Sequence, residues 1–250
     1  MVPLRLVSQT GVVPASRAVK ARACAPEGAQ TALTRSALTL DPGLEETAVP
    51  GGPGPASGVG FWLARAASAP GERLIALVAP RNWLAERGRL FARGAMRFGV
   101  RTERLLVVRP RTEAEALWAL EEILRSGAAD LAIGAVETAS LTQTRRLDMA
   151  AREAGAAAGL IRVGEGGGLS AARKRWRVAP LASAEDRWDP RAPGRPRWRA
   201  ELTRRRDGPP GVWDLEWNDA AGRLDLVEGL AGDGLGEDAR VLEPLPVAHG

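Results

Sequence analysis

Arg104-Leu-Leu-Val-Val-Arg-Pro-Arg-Thr-Glu-Ala-Glu-Ala-Leu-Trp-Ala-Leu-Glu-Glu-Ile-Leu-Arg-Ser-Gly-Ala-Ala-Asp130, continued by Leu-Ala-Ile-Gly-Ala-Val136, is the stretch whose reading decides the fold. Leu105 to Val108 is a short apolar run closed by Pro110, as a buried strand is. Thr112 and Glu115 have the spacing of a capping box, in which hydroxyl and carboxylate satisfy the first free amides of a helix. That helix is predicted to run to Ser126, with Leu117, Leu120 and Leu124 as its core stripe and Gly127 as its stop. A second apolar run, Asp130 to Val136, follows at once. Strand, helix and strand joined by short turns make a right-handed βαβ unit, so the two strands are expected to be parallel.

The same alternation extends in both directions. Upstream, Phe61 to Ala67 has helical composition, Arg73 to Val78 is a strand ended by Pro80, and Trp83 to Phe98 is predicted as one helix stopped by Gly99. Downstream, Ser140 and Gln143 form another capping box, opening a helix with Leu141, Leu147 and Ala151 inward and Gly155 at its end. Gly159 to Val163 is a strand before the flexible composition of Gly164 to Gly168. The fold class is therefore α/β, a mainly parallel sheet flanked by helices. Beyond Gly168 the period changes to alternation. Lys174 to Val178, Arg197 to Leu202, Val212 to Trp217 and Gly222 to Val227 read as a C-terminal antiparallel β extension. Leu40 to Gly43 followed by Pro50 to Pro55 is loop chemistry, so the stretch from Leu40 to Pro55 is read as a loop after the N-terminal arm. The expected organisation is a basic N-terminal arm over 1–39, an α/β core over 40–168, Arg/Trp-rich strands over 169–230 and a loose acidic tail over 231–250.

Composition excludes several chemistries. Cys24 is the single cysteine and His249 the single histidine of the 250 residues, which argues against a disulfide framework, a thiolate metal cluster and imidazole acid-base catalysis. No catalytic residue, metal or cofactor is expected. No apolar run reaches membrane-spanning length and no secretory h-region opens the chain, so the expected compartment is the cytoplasm. Charge is segregated: residues 171–206 hold twelve basic and four acidic side chains, a balance of +8, and residues 207–250 hold two and ten, a balance of −8.

The candidate binding residues lie in the basic block. Arg173, Lys174, Arg175, Arg177, Arg197 and Arg199 interleave with Trp176 and Trp198, and Arg204, Arg205 and Arg206 follow. Guanidinium groups suit phosphates and tryptophans stack on bases, the combination that holds single-stranded DNA, and the same arginines suit an acidic protein surface. The competing expectation is that Trp176, Trp198, Trp213 and Trp217 plug the underside of a sheet while the arginines face water. Alternation puts Arg175 and Arg177 on one face with Lys174 and Trp176 on the other. Trp118 falls off its helix's core stripe and is a candidate partner anchor. Arg17, Lys20, Arg22 and Arg35 give the N-terminal arm the charge to dock on a partner.

The stretch from Arg104 to Asp130 resembles, without a gap, the RecA segment that joins two core strands through a helix. Glu115 to Ala128, Arg175-Trp-Arg-Val-Ala-Pro180, Arg197 to Leu202 and Pro210 to Trp217 narrow the likeness to the ImuA family, over most of Leu40 to Asn218. The resemblance implies a RecA-like core and a cytoplasmic role, on the nucleoid during the damage response, in SOS mutagenesis and translesion synthesis. The implied partners are RecA, an ImuB-like Y-family protein and, indirectly, an error-prone replicative-type polymerase; DNA contact is an expectation of the Arg/Trp strands themselves, and no membrane partner is expected from the composition. SulA, a division inhibitor that binds the division GTPase, shares the degenerate core and supplies an alternative function. A P-loop needs Gly-Lys-Ser/Thr opening a helix, because amides cradle the phosphates, Lys reaches them and the hydroxyl holds magnesium. The corresponding stretch here is Gly51-Gly-Pro-Gly-Pro-Ala-Ser-Gly-Val-Gly60, and no lysine lies between Lys20 and Lys174. The magnesium carboxylate of RecA falls on Ala135, and the acid that orients water has no counterpart in Ala76 to Arg81. The expectation is a non-catalytic protein.

Overall fold

Gly43–Val49 forms the first strand (β1) of the computed structural model, which describes residues 36–67, 71–164 and 168–227. It is followed by α1 (Gly54–Ala67), β2 (Leu74–Val78), α2 (Arg81–Arg87), α3 (Ala92–Met96), β3 (Leu105–Val108), α4 (Glu113–Arg125), β4 (Ala129–Ala135), α5 (Leu141–Glu153) and β5 (Ala157–Val163). The antiparallel series is β6 (Lys174–Leu181), β7 (Arg197–Arg205), β8 (Gly211–Asn218) and β9 (Arg223–Leu226). All nine strands share one sheet in the order β3-β2-β4-β5-β1-β6-β7-β8-β9, parallel from β3 to β6 and antiparallel beyond. The expected fold class is the observed one: an α/β sheet, mainly parallel, flanked by helices and extended by antiparallel strands. The extension is continuous with the core, because β6 pairs in parallel with β1 and antiparallel with β7.

Two apolar clusters hold the layers. On one face α1 lays Phe61 and Trp62 against Leu77, Ile133 and Ile161, and Trp176, Trp198 and Trp217 from the extension join the same cluster. On the other, Leu117, Leu120 and Leu124 of α4 and Leu147 of α5 cover Ala76, Val78 and Leu160. Glycine makes the first packing possible: a Cβ on Gly159 of β5 would stand 2.6 Å from the Trp62 ring. Over β6 to β9 only the α1 side is packed, and the other face is open to water, as one-sided antiparallel sheets are.

Three local expectations are corrected. Leu40 to Pro55 is not one loop: Gly43–Val49 is a fully buried strand between β5 and β6, and α1 already begins at Gly54. Glu45 and Glu46 disguise the strand, and their burial follows from cations on neighbouring strands. Trp83 to Phe98 is two short helices, because Gly88 takes φ +89 and breaks the first. At α4 the Thr112 hydroxyl accepts the Glu115 amide at 3.2 Å, but the Glu115 carboxylate accepts from the Arg111 amide, one residue short of a closed box. The Ser140–Gln143 box at α5 is complete. The arm over 1–39 lies mostly outside the described residues, as do Cys24, His249 and the tail over 231–250.

Candidate interface on the antiparallel strands

β1 and β6 set the electrostatics, since adjacent residues on each strand point to opposite faces. On the α1 side, the Glu45 carboxylate receives Arg65 at 2.8 Å, Lys174 at 3.2 Å and the Trp176 indole N–H at 2.8 Å. The Arg65 guanidinium also lies over the rings of Phe61, Trp62 and Trp176, 4.7–5.4 Å from their centroids. Lys174 further holds the Thr39 carbonyl at 2.7 Å and Asp41 at 2.9 Å. Lys174 is thus a buried structural cation and is not available to a partner. Trp176, Trp198 and Trp217 are buried, and the indole N–H groups of the last two donate to the carbonyls of Ser57 and Arg97. The tryptophans therefore plug the underside of the sheet, and their faces are closed to stacking on bases.

The arginines stand on the opposite face, as alternation requires. Glu46 bridges Arg162 and Arg175 at 3.2 Å each and accepts the Ser170 hydroxyl at 2.7 Å. Farther out, cross-strand pairs form a ladder: Arg177 with Glu201 at 2.9 Å, Arg199 with Asp214 through two bonds of 2.7 and 2.8 Å, and Arg195 and Arg197 with Glu216. The bond to Asp214 outweighs burial and raises the Arg199 pKa. On β9, burial pushes the Asp225 carboxyl up, but the Asn218 amide and Arg223 outweigh it and hold its pKa below the ordinary range.

The remaining candidates divide. Arg173 reaches Asp207 at 2.9 Å and Arg205 bonds Ser36, whereas Arg204 and Arg206 are exposed with no side-chain partner among the described residues. Trp118 stands on the outer side of α4, 63% exposed. Sequence reading passed over Trp188, which is 82% exposed in the β6–β7 connection with the Arg187 guanidinium over its ring. Its turn-like setting, Glu185-Asp-Arg-Trp-Asp-Pro190, has no period from which exposure can be read. Asp186 fixes that turn by accepting the amides of Trp188 and Asp189, which hold its carboxyl below the usual range.

The turn from β1 into α1, where a phosphate cradle would lie, is Pro50-Gly-Gly-Pro53, and no Gly-Lys pair occurs anywhere in the chain. Two prolines reduce its amides, and the Gly54 amide is turned inward to the Gly51 carbonyl at 3.3 Å. Among the described residues no His/Cys/Asp/Glu group is arranged to hold a metal ion, and no helix is long and apolar enough to cross a membrane.

No family model matches the chain. It is 38% identical over 148 residues to the protein named ImuA of Caulobacter vibrioides strain NA1000 / CB15N, and equally to that of strain ATCC 19089 / CIP 103742 / CB 15. Each match takes in 55% of this chain, and the chain spans 60% of the length of these relatives. The resemblance to ImuA read from the sequence is borne out over that stretch. The crystal structure of SulA from Pseudomonas aeruginosa matches 48% of this chain and 98% of its own at 25% identity, with a TM-score of 0.38, too loose a superposition to support an argument.

Proposed function

We infer, for a chain 38% identical to ImuA over 148 residues, that it serves damage-induced mutagenesis as a non-catalytic adaptor. The observation behind this reading is the 38% identity to the ImuA proteins over 148 residues. The β1–α1 turn supports the non-catalytic part, since it lacks the lysine that a phosphate cradle requires. The partners proposed are RecA and an ImuB-like Y-family protein, through which an error-prone replicative-type polymerase is brought to damaged DNA. Trp118 is the proposed anchor, because an exposed indole on a helix packed to the sheet presents large apolar area at little ordering cost.

The test is capture from damage-treated cells with the full tagged chain and its Trp118→Ala variant. RecA or an ImuB-like protein recovered by the first and lost by the second, at unchanged melting temperature, is the expected result. Capture of the division GTPase in their place, with filamentous cells on over-expression without damage, would replace this reading by that of an inhibitor. Saturable, magnesium-dependent ATP binding at micromolar affinity would overturn the non-catalytic part.

A further inference from the structure

The open face is not uniformly charged. Along the ladder from Arg177 to Arg223 each guanidinium has its carboxylate, so that surface offers little net attraction to a polyanion. Beside α5 the balance differs. Arg175 lies directly across from Arg204 in the β6–β7 register, so both side chains share the open face, and the Arg206 amide bonds the Arg173 carbonyl just below them. A recess of about 210 Å³ lies at one end of this line, between Arg162, Arg175, Arg177 and Thr203. A cleft of about 480 Å³ lies at the other, lined by Arg152, Arg173 and Arg206 together with Gly43 and the carboxylates of Asp41, Glu45 and Asp207.

Two observations mark the line as built for an anion. Arg162, 7% exposed, lines the recess and pairs through Nη2 with Glu46 and the Ala139 carbonyl, while its Nε has no hydrogen-bond partner among the described residues. Arg152, Arg204 and Arg206 form no ion pair with any described residue, though acidic side chains are abundant elsewhere on the same face. Apart from the buried Lys174–Glu45 pair, the charged groups lining the two cavities, with Arg204 and the rim carboxylate Glu201, are eight cations and four carboxylates. Same-face residues on β6 recur about every 6.6–6.8 Å, a repeat that suits successive phosphates of an extended single strand. An extended acidic peptide matches this repeat only where Asp or Glu occupies every second residue, whereas a nucleic-acid strand carries a phosphate at every nucleotide.

We propose that this track, from Arg152, Arg173 and Arg206 past Arg175 and Arg204 to Arg162, binds the phosphate backbone of single-stranded nucleic acid. Binding is independent of base sequence, because the neighbouring indoles face the core. The assignment stands apart from the protein partners inferred above, and either can fail without the other.

The experiment measures anisotropy of a labelled oligo-dT with the full chain across a salt series, for wild type, the triple variant Arg152→Ala/Arg204→Ala/Arg206→Ala, and the ladder variant Arg197→Ala/Arg199→Ala. The triple variant should bind at least about tenfold more weakly and lose about 2 from the slope of log affinity against log salt, at about 0.7 per phosphate contact. The ladder variant should stay within about twofold of wild type, all three melting cooperatively. Equal affinity and slope for wild type and triple variant would overturn the proposal. So would no oligo-dT binding at low salt, competition by inorganic phosphate with no retention of the oligonucleotide, or tighter binding of poly-glutamate than of oligo-dT.

Discussion

Glu45 shows how a residue that reads as surface becomes the centre of the molecule. On a strand predicted as loop it sits under Arg65, Lys174 and the Trp176 indole, itself almost without exposure. Removing one member leaves the others charged and buried, so Glu45→Ala should cost about 3–5 kcal/mol, read as a large fall in melting temperature. A loss under about 1 kcal/mol would mean the network is solvated. Gly159→Ala tests the opposite constraint, crowding. Its methyl would meet the Trp62 ring at 2.6 Å, and destabilisation of about 1–3 kcal/mol is expected in chemical denaturation. Neither role was legible in the sequence, because both depend on strands far apart in the chain. The facing of Lys174, Arg175, Trp176 and Arg177 was legible, since it needs only the two-residue period of a strand.

Elements with their own local signals emerged as read, and those that depend on tertiary partners did not. Ser140 and Gln143 close their box within one turn, so α5 begins where the sequence says, and Ser140→Ala should cost about 1 kcal/mol. α4 keeps only the hydroxyl half of its box. β1 was hidden because burial of two adjacent glutamates is a property of Arg65, Arg162, Lys174 and Arg175 rather than of Gly43–Val49. The β8–β9 hairpin adds a pH dependence. Asp225 has a depressed pKa in the folded protein, so its stabilisation is complete above the ordinary aspartate value of about 3.9 and is lost as pH falls through the lower folded value. Acid titration followed by intrinsic tryptophan fluorescence should show this loss in wild type and a weaker dependence in Asp225→Asn. Identical profiles would remove Asp225 from the account.

At the scale of the whole molecule, a parallel α/β core and an antiparallel extension share one sheet and one apolar cluster, so the Arg/Trp strands are part of the body of the protein. Their composition suggested a binding surface, and the structure divides it: Lys174 and the tryptophans serve the core, Arg177, Arg197 and Arg199 form a neutralised ladder, and Arg204 and Arg206 remain free among the described residues. Sequence could not make that division, because it depends on which carboxylate stands across each strand pair. Arg152 and Arg162 went unnoticed for the same reason, lying on α5 and β5 far from the basic block in sequence. The most direct test of the account is damage-induced mutation frequency in cells lacking this chain, with and without the full chain restored. Frequency is expected to fall to the undamaged level without the chain and to recover with it, while over-expression leaves division normal. An unchanged frequency, or filamentation on over-expression, would contradict it.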